Sequence, residues 1–180
     1  MKLTSVERWI LSNQYTILEA ICPEQKEDFQ DAREIVERGY EAYYPEITRH
    51  ITGDADVITA EVSDEVIDIL TMLDRLNFAY QGLKDKSGIA ENDLRFSGFD
   101  GNDAVEVKYM AFARWACTRK EWSAWTALPK AKSVDWWNSH MPHLDYYRRM
   151  MKAWKASADK SKLTRDDVVR ILAAGSGHFP

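Results

Sequence analysis

Asp100, Glu106 and Arg114 are the residues of this chain whose types and spacing come nearest to reaction chemistry. Two carboxylates close in sequence can act as acid and base, and a guanidinium one helical stretch later can clamp an anion. They follow the island Phe96-Ser97-Gly98-Phe99-Asp100-Gly101-Asn102, where two glycines permit positive φ and two phenylalanines can pin the backbone to a core. The plainer expectation is an ordered clasp: Phe96 and Phe99 buried, Gly98 and Gly101 in backbone conformations that a β-carbon disfavours, and Asp100 capping a helix that begins near Asp103.

Asn13 and Gln14 are a second candidate pair, lying at or beside an apolar stripe of Val6, Ile10, Ile17 and Ile21. Amides there need partners, either a ligand or, since buried polar groups usually satisfy one another, backbone of the Lys84–Asn102 loop. Glu37 and Arg38 have helical neighbours at Arg33 and Glu34 and read as a solvated face. His140 and His143 flank Pro142, which removes the regular helix that would aim both imidazoles at one ion, so no metal or cofactor is expected. No phosphate-loop, dinucleotide, nucleophile-elbow, zincin or CxxC pattern occurs, and the balance leans away from an enzyme.

Charge is unevenly distributed. Residues 1–118 carry 12 basic and 23 acidic side chains, net −11, whereas residues 119–165 carry 11 basic and 4 acidic, net +7. The basic segment also holds Trp122, Trp125, Trp136, Trp137, Tyr146, Tyr147 and Trp154. Arg119, Lys120, Lys130, Lys132, Arg148, Arg149, Lys152 and Lys155 beside such rings could bind nucleic acid or another polyanion. The overall net charge of −5 disfavours this, and the alternative is that the segment packs against the acidic part of its own or a neighbouring chain. Two distant cysteines, Cys22 and Cys117, no signal-like start and no long uncharged stretch point to a cytoplasmic protein without a membrane span.

These side chains must be positioned by helices. Thr4 and Glu7 form a capping box for a helix over 4–21, ended by Pro23. A second helix is expected over 24–44 with Gly39 inside it as a kink or close contact, and a short turn over 46–51. Ser63 starts the strongest helix, whose stripe of Val66, Ile69, Leu70, Leu73, Leu76, Tyr80 and Leu83 should centre the core. Further helices are expected over 103–119, from Pro142 through Trp154, and over 164–174, the last stopping at Gly175. No period-two run demands a sheet.

Arg8-Trp9-Ile10-Leu11-Ser12-Asn13-Gln14-Tyr15, Glu37-Arg38-Gly39-Tyr40, Val66-Ile67-Asp68-Ile69-Leu70 and Phe96-Ser97-Gly98-Phe99-Asp100 with Glu106 and Tyr109 resemble the YfbU family of small helical bacterial proteins. The later residues Pro142, Tyr147, Arg149, Met150, Trp154 and Leu163-Thr164 extend the resemblance over nearly the whole chain, with departures around 115–137 and at the Gly175–Pro180 tail. It implies an all-helical fold and a tendency to self-associate, and brings no catalytic residues. The expected architecture is therefore all-α: a single-domain irregular bundle of about six to seven helices over 1–174 with the ordered glycine/phenylalanine loop, then a tail over 175–180. The expected function is a self-associating interaction module, a homo-oligomer or the binder of a protein partner. Polyanion binding through 119–165 and small-molecule catalysis centred on 96–114 are the alternatives. Binding candidates are Asn13, Gln14, Asp100, Glu106, Arg114, Arg148, Arg149 and Lys152.

Overall fold

Thr4 begins the first helix as its capping box requires. Its hydroxyl accepts from the Glu7 N–H, and its own N–H donates to the Glu7 carboxylate at 2.7 Å. In the computed structural model, which describes residues 2–119 and 137–176, the described chain is all-α. Its helices are α1 (Ser5–Ile21), α2 (Lys26–Arg38), α3 (Tyr44–Ile47), α4 (Ala60–Gly82), α5 (Glu106–Ala116), α6 (Leu144–Lys155) and α7 (Arg165–Ser176). Two compact units divide it, Met1–Val57 and Ile58–Pro180. Trp122, Trp125, Trp136, Lys120, Lys130 and Lys132 lie outside the described residues, as does most of the tail.

In the first unit α1 packs on α2 through a mixed seam, in which Leu11, Tyr15 and Leu18 of α1 and Phe29, Ile35 and Val36 of α2 are half-buried or buried beside polar bonds. The Arg8 guanidinium donates to the Val36 and Glu37 carbonyls, each at 3.4 Å, satisfying the carbonyl end of α2 where a cation is favoured. Ser12 donates to Glu37 at 2.7 Å, and Arg33 pairs with Glu19 at 2.6 Å. Gly39 does not kink a longer helix as expected. It ends α2 in the left-handed region, φ 70°, with the Tyr40 N–H reaching back to the Ile35 carbonyl. A helix continuing to residue 44 would have to keep right-handed angles through this glycine, which the 6→1 closing bond supplants.

The second unit is built around α4, whose Val66, Ile69, Leu70, Met72, Leu73 and Leu76 are buried, as the stripe predicts. α4 starts earlier than expected, at Ala60, because Thr59 caps it; Ser63 instead donates back to the Thr59 carbonyl. α5, α6 and α7 pack on α4, and α6 and α7 pack on each other. Thr164 and Asp167 exchange the expected capping bonds at the start of α7. That helix nevertheless runs through Gly175, which is buried where a β-carbon would lie 2.6 Å from the Tyr146 ring. Close packing, not chain termination, is what this glycine serves. Pro142 likewise precedes α6, which begins at Leu144.

Candidate functional site

The island 96–102 is an ordered clasp. Phe96 and Phe99 are buried, their rings 5.4 Å apart and in contact with Tyr147. The Tyr147 hydroxyl accepts the Ser97 N–H at 2.8 Å, and burial pushes that phenol well above its usual range. Phe99 and Asn138 form a single parallel bridge: the Phe99 N–H donates to the Trp137 carbonyl, and the Ser139 N–H donates to that of Phe99, both at 3.0 Å. Gly98 has the expected positive φ, 84°, and a β-carbon there would sit 2.5 Å from the Trp137 carbonyl oxygen. Gly101 has no positive φ; a β-carbon there would sit 2.8 Å from the Asn138 amide, which accepts the Gly101 N–H at 2.9 Å.

The capping role expected of Asp100 belongs to Asp103, whose carboxylate accepts the Val105 and Glu106 N–H groups, each at 2.8 Å. Asp100 instead accepts the Asn102 N–H at 2.9 Å, closing the turn two residues on. Asp100 and Asp103 are three residues apart, so the spacing alone does not tell which of the two carboxylates caps α5.

Glu106 is buried at 4% exposure and its carboxylate faces backbone donors. It accepts the Asp100 N–H at 2.8 Å, the Leu144 N–H at 2.8 Å and the His143 N–H at 3.0 Å. One side chain of α5 thus caps α6 and anchors the clasp. Arg114 is exposed on the same helix.

Two of the basic candidates of α6, Arg148 and Arg149, are also engaged. Arg148 holds Glu65 through two bonds, 2.8 and 3.0 Å, while the Tyr109 hydroxyl donates to the same carboxylate at 2.5 Å. The Arg148 guanidinium holds Glu65 below its usual range; burial and then the bond to Glu65 push the Tyr109 phenol up to about 12. Arg149 donates twice to the Gly175 carbonyl, at 3.1 and 2.7 Å. Lys155 pairs with Asp68 at 2.5 Å and Arg165 with Asp85 at 3.2 Å, while Lys152 is exposed. Arg148, Lys155 and Arg165 therefore meet carboxylates of the acidic part of their own chain. Glu65, Tyr109 and Asn138 were not read from the sequence as site residues, since their partners lie far away along it.

Asn13 and Gln14 are exposed on α1, and so is the stripe beside them. No residue of α1 is buried, and Val6, Trp9, Ile10, Ile17 and Ile21 are 48–67% exposed. The stripe that the spacing picks out thus lies on the exposed side of α1. The half-buried side of α1 carries Leu11, Tyr15 and Leu18 together with Arg8, Ser12 and Glu19, and it meets α2 through the Tyr15–Phe29 stack, 6.4 Å between ring centroids, as well as through polar bonds.

Residues 1–174 match the YfbU domain family. The chain belongs to that family. It is also similar to the UPF0304 protein MJECS11 of Methanocaldococcus jannaschii, 36% identical over 175 residues, which span 96% of this chain and 99% of that one. The YfbU match thus takes in both compact units, the exposed face of α1 and the clasp. Among the described residues no helix is long and apolar enough to cross a membrane, and no three His, Cys, Asp or Glu side chains gather to hold a metal. An open depression of about 450 Å³ in the first unit, between α2 and α3, has Tyr15, Asp28, Phe29, Ile47, Arg49 and His50 on its wall, and none of the eight binding candidates lines it.

Proposed function

We propose that this YfbU-family chain is a self-associating protein-interaction module of the cytoplasm and that it associates through the outward face of α1. The observation that carries this reading is the exposure of Val6, Trp9, Ile10, Ile17 and Ile21 on one helix that has no fully buried residue. Contiguous exposed apolar surface of this kind marks interaction sites, and large aliphatic and aromatic side chains supply the contact area such sites bury. The free thiols of Cys22 and Cys117 suit a reducing compartment. The rival readings draw less support: Arg148, Arg149 and Lys155 have internal partners, and the Glu106 oxygens are occupied by backbone donors.

Light scattering and sedimentation velocity at micromolar concentration and moderate salt test it. A dimer or larger species is expected, and Ile17→Asp should weaken association at least tenfold, because about 1.4 kcal/mol is a modest penalty for taking a carboxylate into an apolar contact. A strictly monomeric parent protein overturns the reading.

A further inference from the structure

The depression between α2 and α3 is bounded by two kinds of side chain. Tyr15, Phe29, Ala32, Ile35 and Ile47 line it and are each half-buried, with the Tyr15 and Phe29 rings stacked 6.4 Å apart between centroids. The polar residues that line it are Gln25, Asp28, Asp31, Glu46, Arg49 and His50, all of them exposed. On α2, Asp28, Asp31, Ala32 and Ile35 fall at i, i+3, i+4 and i+7, which places them on one helical face. The charges of this helix divide by side. Arg33 and Glu37, toward α1, are bonded to Glu19 and Ser12. Asp28 and Asp31 make no side-chain hydrogen bond or ion pair among the described residues, and neither do Glu46, Arg49 and His50. Three carboxylates and one guanidinium thus stand unpaired around one depression, an excess of negative charge.

We infer that this depression binds a small organic cation, an ammonium group carried on an aromatic or branched apolar body. Its volume of about 450 Å³ lies in the range of small-ligand sites. The half-buried aliphatic and aromatic side chains offer such a body apolar surface, and the Tyr15 and Phe29 rings carry negative faces that attract a cation. The rim selects the sign. Carboxylates stand on both walls, Asp28 and Asp31 on α2 and Glu46 on α3, and each forms a stronger hydrogen bond with an ammonium than with a neutral donor. An anion of the same shape would be repelled by all three and attracted by Arg49 alone, or by His50 where that ring is protonated. A cation without a body would leave the apolar lining unused and keep its water, so recognition needs both halves of the ligand. The site is independent of the association proposed for α1, since none of Val6, Trp9, Ile10, Ile17 and Ile21 lines the depression.

Amide NMR of the full chain tests this, with 2-phenylethylammonium, 3-phenylpropanoate and methylammonium titrated at equal ionic strength. The expected result is saturable shifts at Tyr15 and over residues 25–35 and 46–50 with the first probe, and binding weaker by about tenfold or more with the other two. An Asp28→Asn, Asp31→Asn double variant, altered only at exposed positions, should weaken 2-phenylethylammonium by about fivefold or more and narrow its lead over 3-phenylpropanoate. Ala32→Leu fills part of the depression and should weaken the same probe with every charge unchanged. The dispersion of each spectrum shows whether the variant is folded, and the double variant decides the matter where Ala32→Leu is not. Methylammonium bound as tightly as 2-phenylethylammonium would reduce the site to a solvated acidic surface and overturn the proposal. So would 3-phenylpropanoate bound as tightly, or an affinity unchanged in either folded variant. A parent protein that shows no saturation up to about 30 mM, beyond the weakest affinity expected of a ligand with about nine non-hydrogen atoms, overturns it outright.

Discussion

Glu106 shows what an acidic residue near a glycine loop does here. A carboxylate that accepts three backbone N–H groups from two segments is a structural hub, and those donors would be orphaned without it. Glu106→Gln replaces one acceptor oxygen by a donor that faces N–H groups, and should destabilise the fold by about 2–4 kcal/mol in urea unfolding. Charge at this scale also sets acid sensitivity. Glu65 is held low by its bond from Arg148, and Asp167 is lowered to about 2, first by its bond from Thr164 and then by that from Arg170. With the folded-state value depressed, the unfolded chain binds protons first as pH falls. The stability from these groups is therefore complete above the ordinary carboxylate range and is lost on descent through it toward the folded values. Melting temperature measured from pH 6 to pH 3 should fall, and the fall should be shallower in a Glu65→Gln, Asp167→Asn double variant; an equal slope in both proteins would remove these two groups from the account.

Helices were legible where a local rule settled them. The Thr4–Glu7 box, the α4 stripe and the Thr164–Asp167 cap all involve residues within one or two turns of each other, and all three appear in the fold. Glycines were not legible in this way, because the reason for each lies in what approaches it. Gly39 was expected inside a helix and ends one; Gly175 was expected to end a helix and sits within one, under Tyr146 and Met150. Asn138, which approaches Gly101, is separated from it by the whole tryptophan-bearing segment. The outward side of α1 was not legible for the same reason: periodicity identifies an apolar face but not which neighbour covers it. Gly98 combines both demands, a left-handed φ and a β-carbon 2.5 Å from backbone that cannot turn aside. Gly98→Ala should lower stability by more than the roughly 1 kcal/mol of ordinary left-handed strain, by about 2–4 kcal/mol, and Ser97→Ala beside it should be close to neutral. Equal effects of the two substitutions on the urea midpoint would show that the clasp tolerates a β-carbon at Gly98.

Charge asymmetry over the whole chain has an internal explanation in the second unit. Its pairs Glu65–Arg148, Asp68–Lys155 and Asp85–Arg165 each join the net-acidic part to the net-basic part. The first unit is different in kind. Across residues 2–57 only Val36 and Tyr44 are buried, whereas the second unit encloses the large cluster around α4. A stretch of this length with so little core is marginal by itself, since short chains bury a small fraction of their surface. If α1 pairs with another copy, association supplies the missing burial, and the stability of this unit becomes a matter of mass action. Hydrogen exchange of residues 2–57 should then slow as protein concentration rises: where the open state is monomeric and most of the protein is dimeric, a hundredfold increase should slow exchange by about tenfold per chain, following the square root of concentration. Exchange of the α4 core should be unchanged over the same range. Protection of α1 that is independent of concentration in the parent, and equal in Ile17→Asp, would mean that the first unit holds itself together and that its apolar face serves no association.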